Sequence, residues 1–301
     1  MTEAALETRD LAKRYGNITA LAGLSMTIPV GDVFGFLGPN GAGKTTAVKL
    51  LLGLARPSAG EAWLLGAPIS DEAAHRRARR RVGYLPELFR YQGWLTAREV
   101  LTLHGELMDL PKQARAGEIA EALATVGLAE RADDRVVTFS KGMQQRLGLA
   151  VALLGRPELV LLDEPTSALD PVGRRDVREI IRSLRSRGTT VFLNSHLLSE
   201  VEQVCDHVAI VDRGRVVGSG PLDELLRGDT VRLRATGLPK DGLVRFGEID
   251  RDGEWLVFRG IDAERVPELV AEVVRLGGRV YAVEPAHESL EDRFLRLLRE
   301  D

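Results

Sequence analysis

Apolar residues early in the chain fall in short runs, Leu6 to Leu11, Leu21 to Ile28 and Val33 to Leu37, which predict β-strands. The third run meets a glycine-rich loop and then helically spaced residues from Thr45 to Leu54, so the stretch reads strand, loop, helix. Further strands are expected at Glu61 to Leu65 and Val82 to Leu85, on either side of an arginine-rich segment. The period then changes. From Thr96 to about Val126 the spacing is helical, with Thr96 and Glu99 placed as a capping box, Pro111 breaking the run and Gly127 stopping it.

Ser140 caps a further helix that ends at Gly155 and Pro157, and the unbroken apolar run Leu159 to Leu162 suits a buried parallel strand. Asp170 and Pro171 start another helix. Strand patterns return at Thr190 to Leu193 and Val208 to Val211, and Asp212 to Arg215 reads as a hairpin turn before Val216 to Gly218. Gly220 and Pro221 close that pattern. Beyond Thr230, alternation over Val231 to Thr236 and Glu254 to Gly260 precedes a helix around Val266 to Leu276, a strand at Arg279 to Val283 and a helix carrying Leu290, Phe294 and Leu298. The expected organisation is an α/β domain over 1–222, with a helical part at about 88–157, and a small α+β domain over 229–301. No catalytic motif occurs twice along the chain.

Composition narrows the function classes. The 41 basic and 44 acidic side chains give a formal charge of −3, which supplies no basic field for a nucleic acid or an anionic membrane. The run Arg76, Arg77, Arg79, Arg80, Arg81 is read as a solvated face. Cys205 is alone, which excludes an internal disulfide and fits a packed, inert thiol in a reducing compartment. The N-terminal residues are charged and lack a signal-peptide core, and no apolar stretch approaches the ~20 residues that span a bilayer. Any membrane role is therefore expected through another chain.

Candidate chemistry lies first in Gly38 to Thr45, whose glycine and lysine spacing matches a phosphate-binding loop between an apolar strand and a helix. Backbone N–H groups across Asn40, Gly41, Ala42, Gly43, Lys44, Thr45 and Thr46 can face phosphate, Lys44 can reach the β and γ oxygens, and Thr45 can ligate Mg²⁺. Asp163 and Glu164 close a buried strand, where the sheet directs them toward the same crevice. Asp163 suits the magnesium shell and Glu164 suits a base or positioner for an attacking water. Acidic residues also close strands for purely structural reasons, and the loop upstream decides between the two readings.

The order of Gly38 to Thr46, Phe139 to Arg146, Asp163-Glu164-Pro165, Ser167 to Asp170 and His196 resembles ABC transporter ATPases, from residue 6 to about 220. The resemblance implies a P-loop NTPase ABC cassette, a mixed sheet core with a helical insert, that binds ATP and Mg²⁺ and hydrolyses ATP. Ser140 to Arg146 looks like the family signature, keeping Ser140 and Gly142, while Lys141 and Met143 replace the usual glycine and glutamine. In the family the signature of one subunit closes over ATP held by another, so Ser140 and Gly142 are expected to face the γ-phosphate of a second copy or close homologue. Reversing a dimer equilibrium from 1:99 to 99:1 takes ~5.5 kcal/mol, and a few hydrogen bonds to charged phosphate at ~1.5–3 kcal/mol each can supply it.

By the same resemblance His196 contacts the γ-phosphate, Tyr15 stacks on adenine or simply packs, and Asp170 links the two sites or merely caps its helix. The family's glutamine aligns with Glu87, a carboxylate that can bind magnesium yet adds negative charge beside phosphates. Phe89, Tyr91 and Trp94 either line a groove for a helix of a membrane subunit or belong to ordinary packing. The implied protein is the cytoplasmic ATPase of an exporter, peripheral on the inner face of the membrane through separate permease subunits, with no nucleic acid expected. The rival is a soluble ABC ATPase acting on nucleic acid or ribosomes; a short insert and a single cassette speak against it. Regulation or extra dimer contact is the role expected of the C-terminal domain.

Overall fold

Alternating burial pairs Ala4–Tyr15 (β1) with Ile18–Pro29 (β2) as antiparallel strands. The computed structural model describes residues 4–167, 169–237, 243–261, 263–287 and 289–300, which leaves Ala168 of the Ser167 to Asp170 segment outside the described residues. Contacts divide the chain into two compact units, Met1–Leu222 with Leu297–Asp301, and Asp223–Arg296.

In the first unit, Val33–Leu37 (β3) leads into Lys44–Leu51 (α1), and Ala59–Leu64 (β4) and Ala67–Pro68 (β5) complete an antiparallel sheet in the order β2-β1-β4-β5. Next come Glu72–Arg79 (α2), Val82–Leu85 (β6), Ala97–Leu107 (α3), Lys112–Thr125 (α4) and Lys141–Leu153 (α5). Leu159–Asp163 (β7), Pro171–Ser186 (α6), Thr190–Asn194 (β8), Leu198–Glu202 (α7), His207–Asp212 (β9) and Arg215–Pro221 (β10) follow. The main sheet has the order β10-β9-β3-β8-β7-β6, parallel except for the edge strand β10. Every residue of β3, β7 and β8 is buried, as parallel strands covered on both faces require. Phe36 and Phe192 meet with ring centroids 5.2 Å apart in a core that also takes Leu6 and Leu24 from the antiparallel sheet and Val48 and Leu51 from α1.

Local chemistry explains most helix boundaries. Thr96 Oγ1 accepts from Glu99 N at 3.1 Å while Glu99 Oε2 accepts from Thr96 N at 2.8 Å, closing the expected capping box of α3. Asp170 accepts from Gly173 N at 2.8 Å and Pro171 opens α6. The arginine-rich segment is itself helical: Asp71 accepts from Ala73 N and Ala74 N, both at 3.0 Å, to start α2. Only His75 and Ala78 of α2 are buried, so it carries no apolar stripe that a periodicity search would find. Cys205 packs close to Gly35, and burial pushes its thiol well above the ordinary range.

The second unit holds Arg227–Thr236 (β11), Glu248–Asp252 (β12), Trp255–Arg259 (β13), Val266–Arg275 (α9) and Arg279–His287 (β14), after the short Leu222–Leu225 (α8) and before Leu290–Glu300 (α10). Its antiparallel sheet runs β12-β13-β11-β14, with Val231, Leu233, Phe246, Phe258, Leu269 and Val273 in its own core. The polar strand β12 was not expected, because its pairing with β13 at the sheet edge, rather than any alternation, makes it a strand.

One close approach fixes the distance between β6 and α5. A Cβ added to Gly83 would lie 1.9 Å from Ala152 O. Gly83→Ala is expected to destabilise the chain by about 1–3 kcal/mol, the usual cost of overpacking, seen as a lower midpoint in urea unfolding. An unchanged midpoint would mean that the strand and helix are not held this tightly.

Candidate nucleotide site

The loop after β3 is shaped by contacts that exclude side chains. Gly43, at φ 102°, is the N-cap of α1, and a Cβ there would meet Ala20 O at 2.4 Å. A Cβ on Gly38 would meet Val211 O at 2.3 Å. The loop is pinned by Gly214 N donating to Ala42 O at 3.0 Å and Ala42 N donating to Pro39 O at 3.2 Å. Glycines therefore let the chain turn tightly enough to present the unpaired N–H groups and positive dipole end of α1 to an anion. Asn40, Gly41 and Thr45 are exposed there, Thr46 is half-buried and Ala42 is buried.

Lys44 lies largely buried, its Nζ donating to Gly38 O at 2.7 Å and Pro39 O at 3.2 Å. Burial lowers its pKa, while the charges of Glu164, Asp163 and Glu87 pull it back up. The lysine and all three expected carboxylates thus share one electrostatic neighbourhood. Glu87, two residues past β6, is exposed, yet its charge also acts on Asp163 and helps to hold the Tyr84 hydroxyl up at about 12, mainly an effect of burial.

Asp163 ends β7 at 3% exposure. Burial raises its pKa, and the hydrogen bond from Asn194 Nδ2 to its Oδ1, 2.5 Å, works in the opposite direction. Asn194 went unrecognised in the sequence because the strand was expected to end at Leu193. Its signal was a polar residue directly after an apolar run, opposite Asp163 in the parallel register. Asn194 Oδ1 is buried without a hydrogen bond.

Glu164 adopts φ 53°, left-handed backbone for a bulky side chain, and its N–H donates to Asn194 O at 2.9 Å. That conformation costs about 1–3 kcal/mol and persists only where the surroundings impose it, a situation concentrated at functional sites. Glu164 Oε2 is buried without an aligned hydrogen bond, although His196 Nδ1 stands 2.7 Å away. The His196 ring itself is 56% exposed. A buried carboxylate oxygen without an aligned hydrogen bond, next to a half-exposed imidazole, is equipped to orient a water. The hard oxygen donors at hand, Thr45 and Asp163 with Glu87 near, fit Mg²⁺, which takes few protein ligands beside phosphates.

The remaining expected residues lie on other surfaces. Ser140 is exposed at the start of α5, where its Oγ accepts from Met143 N at 3.2 Å, and a Cβ on Gly142 would come 3.3 Å from Leu169 Cδ2. Arg146 Nη2 meets Asp176 Oδ2 at 2.7 Å, tying α5 to α6. Tyr15 is 47% exposed at the end of β1, its ring 4.8 Å from Lys13 Nζ. Phe89 and Tyr91, ring centroids 5.3 Å apart, line a groove of about 720 Å³ with Leu103, Leu107, Arg76 and Arg90. Trp94 stands 72% exposed and is not part of that lining.

Comparison with known proteins agrees with this geometry. Residues 21–167 match the family model described as ABC transporter. An ABC transporter ATP-binding protein of Nostoc sp. is 41% identical, over 99% of this chain and 91% of its own. The Nod factor export ATP-binding protein I of Burkholderia orbicola is 37% identical, over 99% of this chain and 98% of its own. A solved ATP-binding subunit of an ABC transporter superposes with a TM-score of 0.67 at 30% identity, covering 74% of this chain and 92% of its own.

Asn194→Ala removes the hydrogen bond that orients Asp163 and favours its ionised form. Magnesium-dependent ATP binding, measured by titration with and without chelator, is expected to weaken about 10–100-fold, as when a metal ligand loses its supporting partner. Binding in the presence of chelator should hardly change. Equal weakening in both conditions would sever Asp163 from the metal.

Proposed function

The chain belongs to the ATP-binding proteins of ABC transporters, and from that premise we propose that it hydrolyses ATP at Glu164 as one of two copies that drive export through separate permease subunits. Family membership establishes the ATP-binding, ATPase cassette; the residue roles, the magnesium, the pairing of copies and the direction of transport are our reading. The single observation that carries the assignment of roles is Glu164, held in strained backbone at the end of a buried strand with an unsatisfied oxygen beside Lys44.

In this reading the N–H groups from Asn40 to Thr46 cradle the β- and γ-phosphates, and Lys44 leaves Gly38 O and Pro39 O for phosphate oxygens. Magnesium, when bound, neutralises charge developing on those oxygens, and Thr45 and Asp163, with Glu87 in reach, would hold it. Glu164 Oε2 accepts a hydrogen bond from the attacking water, orients it in line with the γ-phosphorus, and takes its proton as the new P–O bond forms and the bond to the ADP oxygen breaks. His196, 2.7 Å from that carboxylate, would contact the γ-phosphate. Tyr15 offers its exposed ring to adenine.

Ser140 crowns a helix whose N-terminus is exposed, and its hydroxyl can reach a phosphate held by a second copy. The groove beside Phe89 and Tyr91 has an apolar wall and arginines at its edge, which suits a short cytoplasmic helix of a permease. No described helix is long and apolar enough to cross a membrane. Export is the direction carried by the name of the Burkholderia relative.

Glu164→Gln should retain ATP binding, lower turnover by at least about 100-fold and accumulate an ATP-held dimer in analytical ultracentrifugation. Adding Ser140→Arg to that variant should abolish the dimer while nucleotide still binds the separate chain. Normal turnover in the first variant removes Glu164 from its role, and a normal dimer in the second removes the shared site.

A further inference from the structure

His196 is held by a segment too short to hold itself. It follows Ser195, the residue after β8, whose Oγ accepts from Leu197 N at 3.1 Å, and α7 behind it has only five residues and no side-chain cap, too few to fix its position on the fold by themselves. Val201 of α7 packs, fully buried, against Gly35 of β3, and two side chains of α6 reach the segment. Arg178 Nη1 donates to Glu200 Oε2 at 2.5 Å, and Arg182 Nη2 donates to Gln203 O at 3.2 Å, just past the helix end. The Arg178 and Glu200 side chains are only 16% and 11% exposed.

A buried ion pair of this kind gains little stability over an apolar pair of the same volume. Its geometric effect is larger, because a charge-assisted hydrogen bond in a dry setting fixes both partners in distance and direction. We propose that Arg178 and Glu200 are positioning residues for ATP hydrolysis: the pair clamps α7 onto α6 and so sets His196 at its 2.7 Å approach to Glu164. The same helix α6 begins at Asp170, beside Leu169, the side chain nearest Gly142 of the serine-headed segment. The clamp thereby ties the histidine to the helix that starts where a second copy is read to dock. This inference rests on Glu164 and His196 being the hydrolytic groups.

The test is steady-state ATPase kinetics on the full chain, with unfolding midpoints recorded in parallel. Glu200→Gln keeps the shape and removes the charge, and Arg178→Lys keeps the charge and removes the planar fork. Each is expected to lower kcat on the order of 10–100-fold, the scale of an ångström-size misplacement, with KM for ATP within about twofold of the parent. The swapped pair Arg178→Glu with Glu200→Arg should recover part of the loss. In a His196→Ala background, Glu200→Gln should cost nothing further, since the two act as one unit.

A second readout does not depend on turnover. The imidazole NMR signals of His196, identified by their loss in His196→Ala, should shift in Glu200→Gln while those of His75 and His104 stay in place. Additive losses of kcat, or an unmoved His196 signal, overturn the clamp. If His196→Ala itself turns over normally, the catalytic reading of the histidine fails instead, and the NMR shift still decides whether the clamp exists.

Discussion

Everything in the nucleotide crevice depends on one constraint: a lysine and several carboxylates must stay charged where water is scarce. Lys44 loses hydration and regains stability from Glu164, Asp163 and Glu87, while Asp163 pays for its burial with the bond from Asn194. None of these groups is independent. Two parallel strands ending side by side, β7 and β8, place the carboxylate and the amide in register, and the loop after β3 brings the ammonium to them. The sheet therefore acts as an electrostatic template, and its apolar strands are what make the charges at their ends effective.

The glycine loop shows how backbone and chemistry are the same question here. Gly38 and Gly43 each come so close to a neighbouring carbonyl oxygen that any side chain would force the loop outward. Their absence of a Cβ is a packing requirement before it is a binding one. The same economy appears in α6, which caps itself through Asp170, pairs with α5 through Arg146 and Asp176, and grips α7 through Arg178. A single helix thus ties together α5, which carries Gly142, and α7, which follows His196.

Much of this was legible in the residues alone. Unbroken apolar runs marked β3, β7 and β8, the glycine and lysine spacing marked the phosphate loop, and Thr96 with Glu99 marked a helix start. What escaped has physical reasons. Helix α2 buries only His75 and Ala78 and starts from the Asp71 cap, and β12 is a strand only because β13 pairs with it. Asn194 and the Arg178 to Glu200 pair act across the fold at separations that no local pattern encodes, |i−j| of 31 and 22. Trp94, an aromatic grouped with its neighbours by position, is exposed and does not line the groove that Phe89 and Tyr91 line.

The left-handed backbone of Glu164 carries an evolutionary corollary. Glycine and asparagine rest comfortably where glutamate is strained, so natural variation at this position gains stability whenever activity is no longer selected. On the proposed role of Glu164, a duplicated copy relieved of turnover is drawn downhill toward a silent, sturdier descendant, and demand for hydrolysis is what keeps the acid in place.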